Sequence, residues 1–148
     1  MKNLLYPLIA ITLVVTCSCC NTSKKNVKSG NLPLTETQWM LEAIEGEDIG
    51  TDFALRPFMK FDSTFHITGS LCCNSMFGTY WVNKKHKMTV KYEGSTKRLC
   101  QQMSVERKFS KALRHDITRY EIKGDLLILF AENEEVLRFK GVNLNEVE

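Results

Sequence analysis

No run of this chain is apolar for long enough to cross a bilayer: the main apolar stretch, Leu4 to Val15, falls short of the roughly 20 residues a spanning helix needs. Acidic residues are absent until Glu36, although Lys2, Lys24, Lys25 and Lys28 fall in that stretch. The formal net charge of +3 therefore belongs to the leader. Without those four lysines, 16 Lys+Arg stand against 17 Asp+Glu, a balance of −1. That argues against a nucleic-acid partner, which needs a clustered cationic face. The chain also lacks a Gly-rich phosphate loop, a recognisable carboxylate pair and a standard zinc spacing, so no cofactor or metal is implied. Histidine is scarce as well. A thiol enzyme would need a histidine base beside a cysteine. His66 reads as an outward strand residue, His86 lies in a lysine-rich turn and His115 sits at a helix end. No catalytic residue is assigned.

What is present begins with an address. Met1 to Cys20 has one lysine, an apolar middle and then Thr16-Cys17-Ser18-Cys19-Cys20, the three-part layout of an export signal. Cysteines directly after the apolar run make it resemble a bacterial lipoprotein signal, in which one cysteine is diacylated and becomes the new first residue. Cys19, preceded by the small Ser18, is the expected lipidation site, ahead of Cys17 and Cys20, whose contexts are poorer. An ordinary secretory signal ending in cysteines is the alternative. The expected division is a signal peptide over 1–18, a lipidated N-terminus and polar tether over 19–31, and one folded domain over 32–148. Asn21 to Asn31 carries three lysines and almost nothing to bury. A random coil of that length spans about 18 Å, which would hold the domain close to a membrane of the bacterial envelope, expected to be the outer membrane.

The rest of the chain, within a total of 148 residues and 43% hydrophobic, can bury a real core. Trp39, Leu41 and Ala43 alternate with polar neighbours, predicting a half-buried strand over Thr37 to Ile44. Glu45 to Pro57 reads as a loop with Phe53 and Leu55 tucked beneath it. Phe58 to Phe61 and Phe65 to Ile67 form a hairpin around Asp62-Ser63. Gly69 to Tyr80 reads as a buried corner with two adjacent cysteines, leading into a second hairpin, Thr79 to Val82 and Lys87 to Tyr92. One amphipathic helix is predicted from about Met103 to Leu113, with Val105, Phe109, Ala112 and Leu113 as its apolar stripe and Glu106 off it. Three strands follow: Thr118 to Lys123, Leu126 to Phe130, which is continuously apolar and expected to be covered on both faces, and Val136 to Phe139. The predicted fold is mostly β: a small antiparallel barrel or strongly curled sheet of about eight short strands with one packed helix.

The order of these motifs resembles the META domain family, also called HslJ-like, over about Leu34 to Val142. The resemblance rests on Thr37-Gln38-Trp39-Met40-Leu41, then Gly69, Cys73-Asn74, Phe77-Gly78 and Tyr80. It continues through Ser95-Thr96, Arg98, Cys100, Glu106, Phe109, Leu113, Tyr120, Gly124-Asp125 and Leu127 to Leu129. Two departures stand out: Glu36 occupies a place where the family often has glycine, and Cys72 adds a thiol beside the expected one. The resemblance implies a compact β-rich domain in exported lipoproteins and small stress-associated proteins, without an established catalytic site, and links to envelope stress, drug tolerance or virulence.

On this footing Cys73 and Cys100 are the expected disulfide, closing the corner onto the start of the helix. Two buried thiols, or pairing through Cys72, are the alternatives. The expected function is a non-enzymatic, membrane-anchored envelope lipoprotein with an accessory binding role. Exposed Trp81 or Phe77 would be contact points for an envelope protein. A carrier of a lipid or small apolar ligand in the barrel is the alternative, and a thiol-dependent enzyme the third reading.

Overall fold

In the computed structural model the described residues are 30–143, apart from 100 and 102. The cysteines at 17, 19 and 20, with Cys19 the expected lipidation site, lie outside them, as does Cys100.

Among the described residues nine strands and one helix follow one another: β1 (Thr37–Ile44), β2 (Glu47–Asp48), β3 (Phe58–Phe61), β4 (His66–Ser70), β5 (Ser75–Val82), β6 (Met88–Ser95), α1 (Met103–Ala112), β7 (Arg119–Lys123), β8 (Leu126–Ala131) and β9 (Glu134–Asn143). All strand pairs of the sheet are antiparallel, in the order β6-β5-β4-β3-β1-β9-β8-β7, with the two-residue β2 pairing β1 off this path. The sheet curls until its edge strands meet. Lys87 bridges Arg119, the Met88 N–H donates to the Thr118 carbonyl at 3.0 Å, and the Tyr120 N–H donates to the His86 carbonyl at 3.0 Å. The ring is thus pinned at one point between β6 and β7, and α1 lies in the connection between those two strands. The expectation of a curled antiparallel sheet with one helix is met.

Period-two alternation accounts for the core. β1 sends Trp39 and Leu41 into the core, and a bulge against β9 between Leu41 and Ala43 shifts the alternation, so that Ile44, paired with Leu137, joins the core cluster while Ala43, paired with Arg138, is buried outside it. Trp39, Leu41, Met59, Ile67, Leu127, Leu129 and Phe139 meet Phe109 and Ala112 of the helix in one cluster. The Phe109 and Phe139 ring centroids are 6.0 Å apart. The helix stripe therefore does what its spacing predicts.

Register fixes two distinct ends. The β3–β4, β5–β6 and β7–β8 turns lie at one end, together with the segment entering β1 and the end of β9, because Thr37 pairs Asn143, His66 pairs Thr79 and Leu126 pairs Lys140. The opposite end carries the β1–β2 turn, the β4–β5 corner and the β8–β9 turn.

Three expectations need correcting. Leu55 is exposed and of the two expected apolar residues only Phe53 is half-buried, and the Glu45–Pro57 stretch read as a loop contributes the two-residue β2 to the sheet. β8 alternates: Leu127 and Leu129 are buried, whereas Leu126, Ile128 and Phe130 are only half-buried, so its outer face is not fully covered. Glu106, expected to lie off the apolar stripe, is 6% exposed, because at i−3 from Phe109 and i−7 from Leu113 it borders the buried face.

Candidate functional site

The corner between β4 and β5 is a four-residue loop, Leu71 to Asn74, closed by the Leu71 N–H donating to the Asn74 carbonyl at 2.7 Å. Ser70 Oγ holds its inside, accepting from the Cys72 N–H and donating to the Cys72 carbonyl, both at 3.3 Å. Cys72 has φ 129°, a conformation that costs any residue with a Cβ. Both glycines of the flanking strands are there for lack of a side chain. A Cβ on Gly69 would run into the Phe58 carbonyl of β3, and one on Gly78 into the Lys91 carbonyl of β6.

Asn74, 1% exposed, is the hub. Its Nδ2 donates to Glu106 Oε1 at 2.6 Å and to the Arg98 carbonyl at 3.0 Å. Its Oδ1 accepts from the Thr96 hydroxyl at 2.8 Å and the Arg98 N–H at 2.7 Å. Every donor and acceptor of the amide is thereby used. Glu106 Oε2 accepts from the backbone N–H groups of Asn74 at 3.2 Å and Cys73 at 3.4 Å. One buried carboxylate from the helix thus fastens the corner, and the corner in turn fastens the segment between β6 and α1. Arg98 takes part through its backbone alone; the residue is exposed.

Of the two adjacent cysteines, Cys73 is engaged in a disulfide bond, while Cys72 keeps a thiol. That thiol is buried against the Leu55 carbonyl at 3.5 Å. Burial pushes its pKa up, and the Glu106 carboxylate adds to the effect. A nucleophilic thiol needs the opposite shift. The histidines stand elsewhere: His66 contacts Thr64 Oγ1 at 3.0 Å, His115 contacts Glu45 Oε1 at 3.1 Å, and the His86 ring packs on Tyr120 with centroids 5.3 Å apart. Among the described residues no group of three or more His, Cys, Asp or Glu side chains could hold a metal ion, and no helix is long and apolar enough to cross a membrane.

The remaining motif residues are structural anchors in two further places. Trp39 is fully buried, and its indole N–H donates to the Leu34 carbonyl at 2.9 Å. The Tyr80 hydroxyl donates to the Asp62 carbonyl at 2.6 Å, and its ring meets Phe61 edge-on at 5.0 Å. Burial raises the Tyr80 pKa, with Asp62 and Tyr120 contributing. Asp62 itself is held below the ordinary carboxylate range, first by the His66 N–H and then by the Thr64 hydroxyl. Glu36 has φ 64°, so a side chain stands where the backbone favours glycine. Phe77 and Trp81 are both on the outer face of β5, 53% and 55% exposed. Phe77 lies over Gly94 of the neighbouring strand.

These features define a small β-rich domain whose polar signature ties one helix to one corner of a curled sheet. The META domain family model matches residues 32–143, and the chain belongs to that family. Three solved structures share the fold. One is a DUF4847 family protein from Bacteroides vulgatus ATCC 8482, with TM-score 0.54 and 17% identity over 72% of this chain and 93% of that one. Another is a protein from Burkholderia xenovorans, with TM-score 0.56 and 22% identity over 74% of this chain and 83% of that one. A third protein, solved by NMR, has TM-score 0.55 and 20% identity over 74% and 92%. No curated protein matches this chain.

Proposed function

We propose that this META-domain protein is an exported, membrane-anchored envelope lipoprotein with a non-enzymatic, accessory binding role of the stress-related or virulence-related kind. The anchor is a diacylated Cys19, on the outer membrane, facing the periplasm or the cell surface. The observation that carries the reading is the Asn74–Glu106 lock. The buried polar groups that make up the family signature are spent on one another and on backbone, so their chemistry goes into holding shape. The interior supports the same view: Trp39, Phe109 and Phe139, all at 0% exposure, occupy the middle of the curled sheet where a carried ligand would have to lie. The disulfide of Cys73 is assigned to Cys100, closing a loop that contributes about 3–4 kcal/mol in the chain-entropy model.

Mass spectrometry of the protein from membrane fractions tests the anchor and the bond together. The N-terminal peptide is expected to begin at a diacylated Cys19 and to be lost from the membrane in Cys19→Ser, and non-reducing digestion is expected to yield a Cys73–Cys100 cross-link. Recovery of an unmodified N-terminus in the soluble fraction would overturn the anchored reading.

A further inference from the structure

We infer that the end of the sheet at which the chain enters is a docking face for an anionic lipid surface. The inference rests on the anchored reading above for its geometry but not for its chemistry. The chain enters at Asn31, whose Oδ1 accepts from the Gly124 N–H at 2.8 Å, while the Leu32 N–H donates to the Gly124 carbonyl at 2.9 Å. The tether thus meets the domain at the β7–β8 turn. The β5–β6 and β3–β4 turns share that end. The eight-residue β5 puts the opposite end roughly 27 Å further from the anchor. A short tether therefore presents this end to the bilayer, and the helix end away from it.

The chemistry of the presented end matches a surface of anionic head groups. Lys84, Lys85 and Lys87 are exposed around a well-formed turn, in which Asn83 Oδ1 accepts from the Lys85 and Lys87 N–H groups at 2.9 and 3.2 Å. The acids nearby are already occupied. Glu121 lies between Arg119 and Lys123, each at 2.7 Å; Lys140 stands 3.7 Å from Asp125; and Asp62 accepts bonds inside its own turn. Among the described residues the three turn lysines enter no ion pair. Beside them stand two exposed aromatic side chains, Trp81 near the end of β5 and Phe65, 50% exposed, in the β3–β4 turn. Lysines flanking half-exposed aromatic rings are the combination that seats at a lipid head-group layer. Each lysine near such a surface is worth roughly a five-fold change in binding.

The full-length protein, reconstituted in vesicles of phosphatidylcholine alone or with about a third phosphatidylglycerol, provides the test. Trp39 is fully buried, so quenching by brominated acyl chains reads Trp81, and Trp81→Phe confirms the assignment. Docking predicts strong quenching in the anionic vesicles only, abolished by the combined Lys84→Glu, Lys85→Glu and Lys87→Glu variant, whose fold is checked by Trp39 emission. Equal quenching in both vesicle types, or quenching that survives charge reversal, would overturn the docking face while leaving the anchor intact. Failure to co-sediment with the neutral vesicles would instead sink the anchored reading. Docking would then stand if the anionic vesicles alone held the protein with Trp81 quenched, and fall if they did not.

Discussion

Removing the Asn74 side chain is the sharpest test of the lock. Asn74→Ala deletes four hydrogen bonds, one of them to the Glu106 carboxylate. A bond to a charged group is worth about 1.5–3 kcal/mol and a neutral one about 1, and part of the loss at the exposed Arg98 backbone is recovered by water. Glu106 Oε1 then stays buried without its 2.6 Å donor, which adds to the cost. The expected destabilisation is about 3–5 kcal/mol. Urea unfolding followed by tryptophan emission measures it, provided that the slope with denaturant is unchanged. A double-mutant cycle with Glu106→Ala isolates the pair, with an expected coupling of about 1–3 kcal/mol. Glu106→Gln does not substitute: an amide nitrogen would then face either the Asn74 NH2 or the two backbone N–H groups. If Asn74→Ala costs under about 1 kcal/mol, or the two alanine variants simply add, the corner is not held by this network.

Three other outcomes follow from the same geometry. Glu36→Gly relieves a left-handed backbone and is expected to raise stability by about 0.5–1 kcal/mol, as a higher urea midpoint; no change or a loss would mean that Glu36 is not strained. Gly78→Ala drives a methyl into the Lys91 carbonyl and is expected to cost about 2 kcal/mol or more; calorimetry giving a wild-type midpoint would refute the close approach. The pH profile is expected to fall on both sides. Asp62, Glu47 and Glu121 have lowered pKa values, so their contribution is present above the ordinary carboxylate range and lost as pH falls through their folded values. Tyr80 and Cys72 have raised values, so the protonated forms favour the fold below the ordinary values of 10.0 and 9.0, and stability declines as pH rises past them. Denaturation midpoints from pH 3 to pH 11 give the profile, and Tyr80→Phe is expected to flatten part of its alkaline limb.

The strands that build the core were legible because they bury alternate residues, as Trp39 and Leu41 of β1 do; β2, two exposed residues long, had no such pattern to show. The helix was legible through Phe109 and Ala112, but its most informative residue was not. An apolar stripe counts apolar residues, and Glu106 enters the interior as an acceptor for groups thirty-odd positions away. The signal that pointed to it was its place in the family motif. The burial of Asn74 shared that difficulty, since an asparagine in a turn usually faces water. Glu36 stood out in the sequence only as a departure from the glycine the resemblance implies there; its positive φ is visible in the backbone alone. The arrangement of the ends lay beyond local reading, because the register of β1 on β9 joins residues from the two extremes of the fold.

That β1–β9 pairing also governs how the domain assembles. Thr37 meets Asn143 only after everything between them has been made and brought round, whereas β3 to β6 can zip as successive hairpins. High sequence separation slows folding, so the central pairing of the sheet forms late in time although it is central in space. A circularly permuted chain, joined at this seam and opened in the Asn83–Lys87 turn, turns the slowest pairing into a local hairpin. It is expected to refold faster than the natural order at similar stability, with stopped-flow fluorescence as the readout; an unchanged rate would place the barrier in another part of the sheet.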